Sequence, residues 1–323
     1  MNAIDVTDGS LHWASAPDPA LLPGHVRLRV RATAVNRADL LQAAGAYPPP
    51  PGKSTILGLE AAGEVTEVAA DVTGWAPGDR ACALLAGGGY AEQAVMPAGH
   101  LLPIPERLSF EQAAALPEVL TTAFLNLWRE ARLQPRERVL LHAGASGVGT
   151  AAVQLCRALG NPCWVTAGSA AKIAACVNLG ARGGANRHEA DFEDAIVEWS
   201  DGAGMDVILD PVGADYLARN LRSLATGGRL VLIGLLGGRA AEIDLGRVLL
   251  KRLRVVGSVL RARSDDEKTA ILADLRARAW PLVASGDVTP IIDRVLPITE
   301  AGAAHAAIAS NETVGKVVLT VPR

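Results

Sequence analysis

The sequence predicts an α/β protein that combines a small antiparallel β domain with a doubly wound parallel sheet. Residues 1 to about 112 are rich in Pro and Gly and contain short alternating runs such as His25–Arg31, a texture typical of antiparallel strands with long loops. From about residue 113, apolar strand-like segments alternate with helix-like ones, which indicates a parallel sheet with right-handed crossovers. The 323 residues suffice for two domains with separate cores.

The elements of the second region follow one another in a regular order. Its predicted strands are Arg138–His142, Pro162–Ala167, Met205–Asp210, Arg229–Gly234 and Leu253–Val259. Its first two helices run from Thr150 to Leu159, stopped by Gly160, and from near Ser169 until Gly180. A long helical stretch, Ser264–Ser285, and two strand-like runs, Ile291–Leu296 and Lys316–Val321, close the chain.

Composition excludes several classes of function. The net charge of −3, with half of the residues hydrophobic and 20% charged, gives no sign of a nucleic-acid or membrane partner. No apolar run reaches transmembrane length, and residues 1–30 lack the basic start and apolar centre of a signal peptide. The four cysteines form no CxxC pair, so we expect reduced core thiols and a cytoplasmic protein.

A glycine-rich loop, His142–Gly149, follows the first strand of the parallel sheet and opens a helix. Glycines there permit a tight turn and let backbone N–H groups approach a pyrophosphate, and the helix N-terminus adds partial positive charge. A purely structural turn is the alternative, but strand, loop, helix and second strand in this order favour a Rossmann-type dinucleotide site. The predicted contact residues are Gly144, Ser146, Gly147, Val148 and Gly149.

The end of the second strand predicts which dinucleotide is bound. NAD enzymes place an Asp or Glu there to hold the ribose 2′-hydroxyl, whereas the segment Thr166–Lys172 has no carboxylate. Gly168, Ser169 and Lys172 could instead receive a 2′-phosphate, with Arg187 as a second candidate cation. In the alternative, Ser169 only caps the helix and Lys172 is a solvated first-turn residue. We expect NADPH.

Six successive motifs identify the chain as a member of the medium-chain dehydrogenases/reductases. They are Val35-Asn-Arg-Ala-Asp39, Gly58-Leu-Glu-Ala-Ala-Gly63, Gly78-Asp79, Gly87-Gly-Gly-Tyr-Ala-Glu92, Thr121-Thr-Ala-Phe124 and Gly144-Ala-Ser-Gly-Val-Gly149. The resemblance covers essentially the whole chain and is strongest to the zinc-free quinone oxidoreductase branch, where the tumour-suppressor-induced enzymes are closer than the zeta-crystallins. It implies a GroES-like catalytic domain at 1–112 and 257–323, and an inserted Rossmann NADPH-binding domain at 113–256.

The residues argue against a catalytic zinc. Zinc-dependent alcohol dehydrogenases, which this chain resembles, carry Cys where Asn36 stands and His where Leu59 stands. Leu59 cannot bind zinc, Asn36 is a poor substitute for a thiolate, and a catalytic zinc needs about three protein ligands. The four-cysteine structural lobe is missing, and the six histidines show no metal-binding spacing. We therefore expect no metal, and an acceptor that is already electron-poor, such as a quinone or an activated enone.

The resemblance also implies roles for further residues. Asn36 and Thr122 would lie near the nicotinamide, and Tyr47 would stand at the substrate mouth, where its hydroxyl could bond to the acceptor oxygen. Flanking the nicotinamide end would be Gly234, Leu235, Leu236, Ser258, Val259 and Leu260.

Each catalytic candidate has a structural alternative. Tyr47 could only anchor its Pro-rich loop, Asn36 could be a turn residue that bonds its own backbone, and Thr122 could cap a helix. Asp39 and Glu60 are expected to form a salt bridge or backbone hydrogen bonds. His142 is expected to pack inside a strand.

Three functions fit these patterns. The first is an NADPH:quinone reductase, and the second is an enone or enoyl-thioester reductase, for which Tyr47 is the candidate proton donor. The third is an NADPH-binding structural or regulatory protein with little turnover. Leu253–Val259 should form an exposed apolar sheet edge, so we also expect a homodimer in which two such edges pair.

Overall fold

The computed structural model describes residues 1–322, which form two compact units. Unit 1 comprises residues 1–121, 260–285 and the chain from 290 onward, and unit 2 comprises residues 122–259 and 286–289. The resemblance placed the domain boundaries at 112/113 and 256/257. Both lie before the corresponding boundaries between the two units, which are at 121/122 and 259/260. No helix within residues 1–322 combines the length and the apolar character that a membrane span requires.

The strands, in chain order, are β1 (Asn2–Thr7), β2 (Ser10–Ser15), β3 (His25–Ala34), β4 (Glu60–Val68), β5 (Arg80–Leu84), β6 (Gln93–Pro97), β7 (Leu101–Pro103), β8 (Val139–Leu141), β9 (Cys163–Ala167), β10 (Gly184–Asn186), β11 (Met205–Asp210), β12 (Leu224–Leu232), β13 (Arg254–Gly257), β14 (Ile292–Pro297) and β15 (Lys316–Thr320).

The α-helices are α1 (Arg37–Ala43), α2 (Phe110–Ala114), α3 (Pro117–Phe124), α4 (Gly147–Ala158), α5 (Ala170–Leu179), α6 (Phe192–Trp199), α7 (Ala214–Ser223), α8 (Leu245–Leu250), α9 (Asp265–Arg278), α10 (Trp280–Ser285) and α11 (Ala301–Ala309). A π-helical segment, Leu125–Glu130, continues α3, and two short 3-10 turns lie at Ala98–His100 and Ile298–Glu300.

Unit 1 is built on a seven-stranded sheet with the order β14-β15-β3-β4-β5-β7, in which β6 also pairs with β3. Its neighbouring strands run antiparallel, as predicted, except for the parallel pair β14–β15. Side-chain burial alternates strictly along the first half of the central strand β3. Val26, Leu28 and Val30 are buried, whereas Arg27 and Arg29 are not. This alternation places one face of the sheet on the core of the unit.

Unit 2 contains a six-stranded, all-parallel sheet with the order β10-β9-β8-β11-β12-β13. The strand order reverses between β8 and β11, which is the doubly wound arrangement that the alternating pattern predicted. Ligands of such sheets bind outside the carboxyl ends of the strands at this reversal. The loops after β8, β9, β11 and β12 are therefore the first place to look for a binding site.

The structure corrects several predicted bounds. The helix expected from Thr150 begins at Gly147, because Ser146 caps it. The strand expected from Arg229 begins at Leu224. The single helix expected over Ser264–Ser285 is two helices, α9 and α10, because Pro281 has no N–H with which to continue the hydrogen-bond ladder of α9.

Candidate cofactor and acceptor sites

The glycine loop of unit 2 is held in shape by close backbone packing and by a helix cap. An ideal Cβ on Gly144 would lie 2.4 Å from Cγ1 of Val165, and one on Gly149 would lie 2.4 Å from the carbonyl oxygen of Gly144. The Ser146 hydroxyl accepts a hydrogen bond from the N–H of Gly149 at 3.1 Å and caps α4. Side chains at either glycine would push the loop away from its strand, so the geometry fits a cradle for a pyrophosphate.

Two of the residues expected to hold a 2′-phosphate, Ser169 and Arg187, lie at the end of β9. Ser169 caps α5 by accepting from the N–H of Lys172 at 3.3 Å, so both predicted roles of Ser169 are compatible. The guanidinium of Arg187 lies against Gly168, since an ideal Cβ there would be 3.2 Å from Nη2. The chain between Thr166 and Arg187 contains no Asp or Glu. A small polar group and the Arg187 guanidinium thus stand where an NAD enzyme has its carboxylate, and Lys172 follows in the first turn of α5.

The ends of β12 and β13 lie side by side, because the N–H of Ser258 donates to the carbonyl of Leu232 at 3.0 Å. The loop after β12 exposes Leu235 and Leu236, with 56% and 59% of their surface accessible. The Ser258 hydroxyl is buried and has no hydrogen-bond partner among residues 1–322. Exposed apolar side chains beside an orphaned hydroxyl are features that a bound ligand would satisfy.

Further residues of this predicted group lie nearby in the chain. Gly234 is in close contact with the backbone, since an ideal Cβ would be 2.8 Å from the carbonyl oxygen of Pro211. Val259 is exposed in unit 2, whereas Leu260 is buried and belongs to unit 1. The strand predicted over Leu253–Val259 ends at Gly257, so Ser258 and Val259 are loop residues.

In unit 1, Asn36 belongs to a buried charged network. Nζ of Lys316 donates to Oε1 of Glu60 at 2.8 Å, to Oδ1 of Asn36 at 2.6 Å and to the carbonyl of Val35 at 2.7 Å. Nδ2 of Asn36 donates to the same Glu60 oxygen at 2.9 Å. Nδ2 also donates to the carbonyl of Ala34 at 3.2 Å, so the turn interpretation describes only part of its role. Asn36 mainly fixes a buried ion pair.

Two carboxyl groups beside this network have pKa values above the ordinary range. Burial, reinforced by the negative charge of Glu60, raises the pKa of Glu118 to about 8. Burial raises the pKa of Asp39 to about 6, although the N–H groups of Asn36 and Gly58 donate to it and act in the opposite direction. The prediction that Asp39 and Glu60 form structural contacts is confirmed. Glu118 was missed, because an acidic residue in a first helical turn is ordinary.

Arg261 fixes the position of Tyr47. Its guanidinium carbon lies 5.2 Å from the centroid of the Tyr47 ring, and Nη1 donates to the Tyr47 carbonyl at 3.3 Å. Nε and Nη2 bond to the Ala86 carbonyl at 2.9 Å and to the Gln42 side chain at 2.6 Å. Burial raises the pKa of Tyr47, while Arg261 lowers it. Tyr47 therefore anchors its loop and keeps a half-buried hydroxyl.

Thr122 lies well inside α3 and does not cap it. Its carbonyl accepts a hydrogen bond from Nδ2 of Asn126 at 2.7 Å. The helix-cap alternative for Thr122 was therefore wrong, and the role implied by the resemblance stays a prediction.

Comparison with known proteins identifies the family. The "Alcohol dehydrogenase GroES-like domain" model matches residues 22–106, and the "Zinc-binding dehydrogenase" model matches residues 147–275. Quinone oxidoreductase-like protein 2 of Mus musculus is 31% identical over 307 residues, which are 95% of this chain and 87% of that protein. The chain belongs to the medium-chain dehydrogenase/reductase superfamily. The predicted pairing of a GroES-like domain with a Rossmann sheet is confirmed.

Other relatives carry different names. The spectinabilin polyketide synthase system protein NorB of Streptomyces orinoci is 38% identical over 322 residues, which are 98% of this chain but only 14% of that protein. Among solved structures, Escherichia coli quinone oxidoreductase complexed with NADPH has a TM-score of 0.86 at 28% identity, covering 99% of this chain and 100% of that one. The CurK enoyl reductase has a TM-score of 0.87 at 28% identity, covering 99% of each chain.

The zinc named by the family model does not fit the residues of this member. Leu59 is buried and apolar, and the oxygens of Asn36 and Glu60 that could bind a metal already accept from the Lys316 ammonium. A second cation beside that ammonium would be repelled. Within residues 1–322, no group of three or more His, Cys, Asp or Glu side chains is placed to hold a metal ion.

Proposed function

We propose that the protein is an NADPH-dependent reductase that delivers hydride to an electron-poor conjugated acceptor, with quinones as its first substrate class. The observation that carries the proposal is the Arg187 guanidinium against Gly168, next to the Ser169 cap of α5, whose first turn contains Lys172. When bound, NADPH supplies the hydride from C4 of its nicotinamide. The chain itself supplies binding, orientation and a proton.

Each part of the binding site has a distinct task in this proposal. The glycine loop offers backbone N–H groups and the N-terminus of α4 to the pyrophosphate. Ser169, Lys172 and Arg187 bond to the 2′-phosphate and distinguish NADPH from NADH. The exposed Leu235 and Leu236 provide an apolar surface for the nicotinamide end.

The part of the proposal that concerns the hydride acceptor rests on residues of unit 1. Tyr47 presents a half-buried hydroxyl, and Glu118 is largely protonated at neutral pH because its pKa is about 8. The charge of Glu118 acts on the pKa of Tyr47, so the two groups share one electrostatic environment. Either can supply the proton that a reduced quinone or enone takes up.

Reduction of an enone or enoyl thioester is the second candidate. The 38% identity to NorB, a polyketide synthase protein, and the fold shared with the CurK enoyl reductase support it. This reaction places a hydride on one carbon of the double bond and a proton on the other. It therefore depends more strongly on Tyr47 or Glu118 than quinone reduction does, since a hydroquinone oxygen can take its proton from water.

We further propose a cytoplasmic homodimer. The edge strand β13 and the neighbouring α8 expose Leu249, Leu250 and Val255, an apolar surface beside unpaired strand hydrogen-bonding groups. Two such edges related by a twofold axis would bury this surface. The four cysteines are all buried and free, which is typical of proteins in a reducing compartment.

A steady-state panel separates the candidate functions. NADPH oxidation should be measured with ortho-quinones, para-quinones, simple enones and an enoyl N-acetylcysteamine thioester. Turnover that is fastest with quinones supports the first candidate, whereas turnover confined to the thioester selects the second. Tight NADPH binding without oxidation by any acceptor would favour a structural or regulatory protein, and absence of NADPH binding would overturn the proposal.

A further inference from the structure

A buried hydrogen-bond chain lies behind the two nucleotide-binding loops of unit 2. His142 directly follows β8, Thr166 is the penultimate residue of β9, Asp210 ends β11, and Asn220 lies on α7. The accessible fractions of these four residues are only 0 to 3%. The sequence predicts that His142 packs inside a strand; the structure confirms its burial but places it in the turn after β8, and no pattern linked it to the other three.

The contacts run in one line from β9 to the loop after β11. Nδ1 of His142 lies 2.9 Å from the Thr166 hydroxyl, and Nε2 lies 2.7 Å from Oδ1 of Asn220. Nδ2 of Asn220 donates to Oδ2 of Asp210 at 2.9 Å. Oδ1 of Asp210 in turn accepts from the backbone N–H of Val212 at 2.6 Å. Every polar side-chain group of His142 has a partner.

The direction of each bond follows from its neighbours. A carboxylate only accepts, so the amide nitrogen of Asn220 faces Asp210 and its oxygen faces His142. Nε2 of His142 must then carry the proton, which leaves Nδ1 to accept from the Thr166 hydroxyl. Burial lowers the pKa of His142 to about 4, which keeps the ring neutral and suits it to this single arrangement.

Thr166 and His142 of this hydrogen-bond chain adjoin the proposed cofactor loops. The carbonyl of Thr166 accepts from the N–H of Gly144 at 3.0 Å, and Thr166 stands just before Gly168 and Ser169. His142 immediately precedes Ala143, whose φ of +52° is an unfavourable conformation for a residue other than glycine. Such a conformation persists only where the surroundings impose it.

We propose that His142 is a positioning residue for the nucleotide cofactor. By bonding to Thr166 and Asn220, it locks the glycine loop to the loop that carries Ser169, so that the sites for the pyrophosphate and the 2′-phosphate keep a fixed separation. This inference rests on the proposed binding of NADPH. Loops held in place before binding lose less conformational freedom when the cofactor arrives, so the lock acts on cofactor affinity and leaves the chemical step unchanged.

The test is Thr166→Val, which removes the hydroxyl and keeps the β-branched shape, compared with Thr166→Ser, which keeps the hydroxyl. Losing one buried hydrogen bond of ordinary strength should raise the Kd for NADPH about five- to tenfold in Thr166→Val. Thr166→Ser should bind nearly as well as the unmodified protein. The kcat at saturating NADPH should stay within about twofold in both variants, since the acceptor site is untouched.

Ile196→Ala controls for lost stability. Ile196 lies on α6, outside both loops, and is buried in the same hydrophobic cluster as Phe192 and Tyr216, whose rings contact His142. This variant should unfold at a lower temperature with an unchanged Kd for NADPH. A Kd that rises equally in Ile196→Ala and Thr166→Val would show that general destabilisation, and not the lock, weakens binding.

A spectroscopic measurement on the unmodified protein tests the lock without turnover. Nitrogen-15 NMR of labelled histidine should show His142 neutral and protonated on Nε2. Protonation on Nδ1 would overturn the inference. So would an unchanged Kd in Thr166→Val when the unmodified chain binds NADPH, and that outcome would leave the proposed function standing. Failure of the unmodified chain to bind NADPH would overturn both.

Discussion

Removing either cation at the end of β9 should reduce the preference for NADPH over NADH. The 2′-phosphate carries about two negative charges near neutral pH, and a charge-assisted hydrogen bond contributes about 1.5–3 kcal/mol before screening. Arg187 is exposed and Lys172 is partly buried, so solvent reduces each contribution to about 1–1.5 kcal/mol. We therefore expect Lys172→Ala and Arg187→Ala each to lower the kcat/KM ratio of NADPH to NADH by about tenfold.

The geometry refines this expectation. Both cations would contact one phosphate, so the double variant should lose less than the product of the two single effects. Gly168→Ala should also weaken the preference, because its Cβ would lie 3.2 Å from Nη2 of Arg187 and would displace the guanidinium. The kcat/KM for NADH should change little in all four variants, since NADH lacks the phosphate.

The assay is steady-state kinetics with both cofactors at low and at high salt. Exposed charge contacts are screened by salt, so the preference of the unmodified protein should fall as salt rises. Arg182→Ala is the matched control, because Arg182 is an exposed cation of the same unit whose guanidinium lies over the ring of Trp164, at 5.9 Å. Equal kcat/KM for the two cofactors in the unmodified protein would refute the reasoning, whatever the variants did.

Four further outcomes are expected. Ser146→Val should raise the KM for NADPH about tenfold. It should also lower the free energy of unfolding by about 1 kcal/mol, because the cap of α4 is lost. Unchanged cofactor affinity would mean that the loop is only a structural turn. Light scattering at micromolar concentration should give the mass of two chains, and the mass of one would contradict the dimer proposal. Extensive chelation should leave activity and Tm unchanged, whereas stoichiometric zinc in elemental analysis would show that the metal assignment is wrong. The free energy of unfolding of the unmodified protein should fall as pH rises from about 4.5 to about 8, and this fall should be smaller in Glu118→Gln, as measured by urea titration at each pH. The same slope in both proteins would contradict the raised pKa of Glu118.

The parallel sheet was predictable because the sequence signals for its strands lie within short segments of the chain. Each buried strand, such as Met205–Asp210, is a short apolar run followed by turn residues, and β11 has the bounds that the sequence predicted. The glycine loop was recognised for the same reason, since its spacing and the flanking strand lie within a few residues. The errors in this sheet lay at element ends, as at the start of α4, where the Ser146 cap decides the bound.

The acceptor side was less predictable because its contacts join distant parts of the chain. Lys316 lies 280 residues from Asn36 and Arg261 lies 214 residues from Tyr47, so no window of sequence contains either pair. A lysine at the start of an apolar strand was the only local signal for Lys316. For Arg261 nothing in the sequence indicated that it would stack on Tyr47.

The buried network of Lys316, Glu60 and Asn36 explains why the neighbouring Glu118 carboxyl keeps its proton. Lys316 neutralises Glu60, and the three N–H donors of its ammonium are already used by Glu60, Asn36 and Val35. A second carboxylate at Glu118 would therefore gain no hydrogen bond from that ammonium while facing the charge of Glu60 in a buried environment. Glu118 accordingly stays protonated up to a pKa of about 8. Its folded-state pKa exceeds the ordinary 4.5, so the folded state binds this proton more tightly than the unfolded chain, and its contribution to stability is lost as pH rises through 8. The scaffold thus offers a neutral acid in a family whose zinc-dependent members place a metal ligand one residue before Glu60.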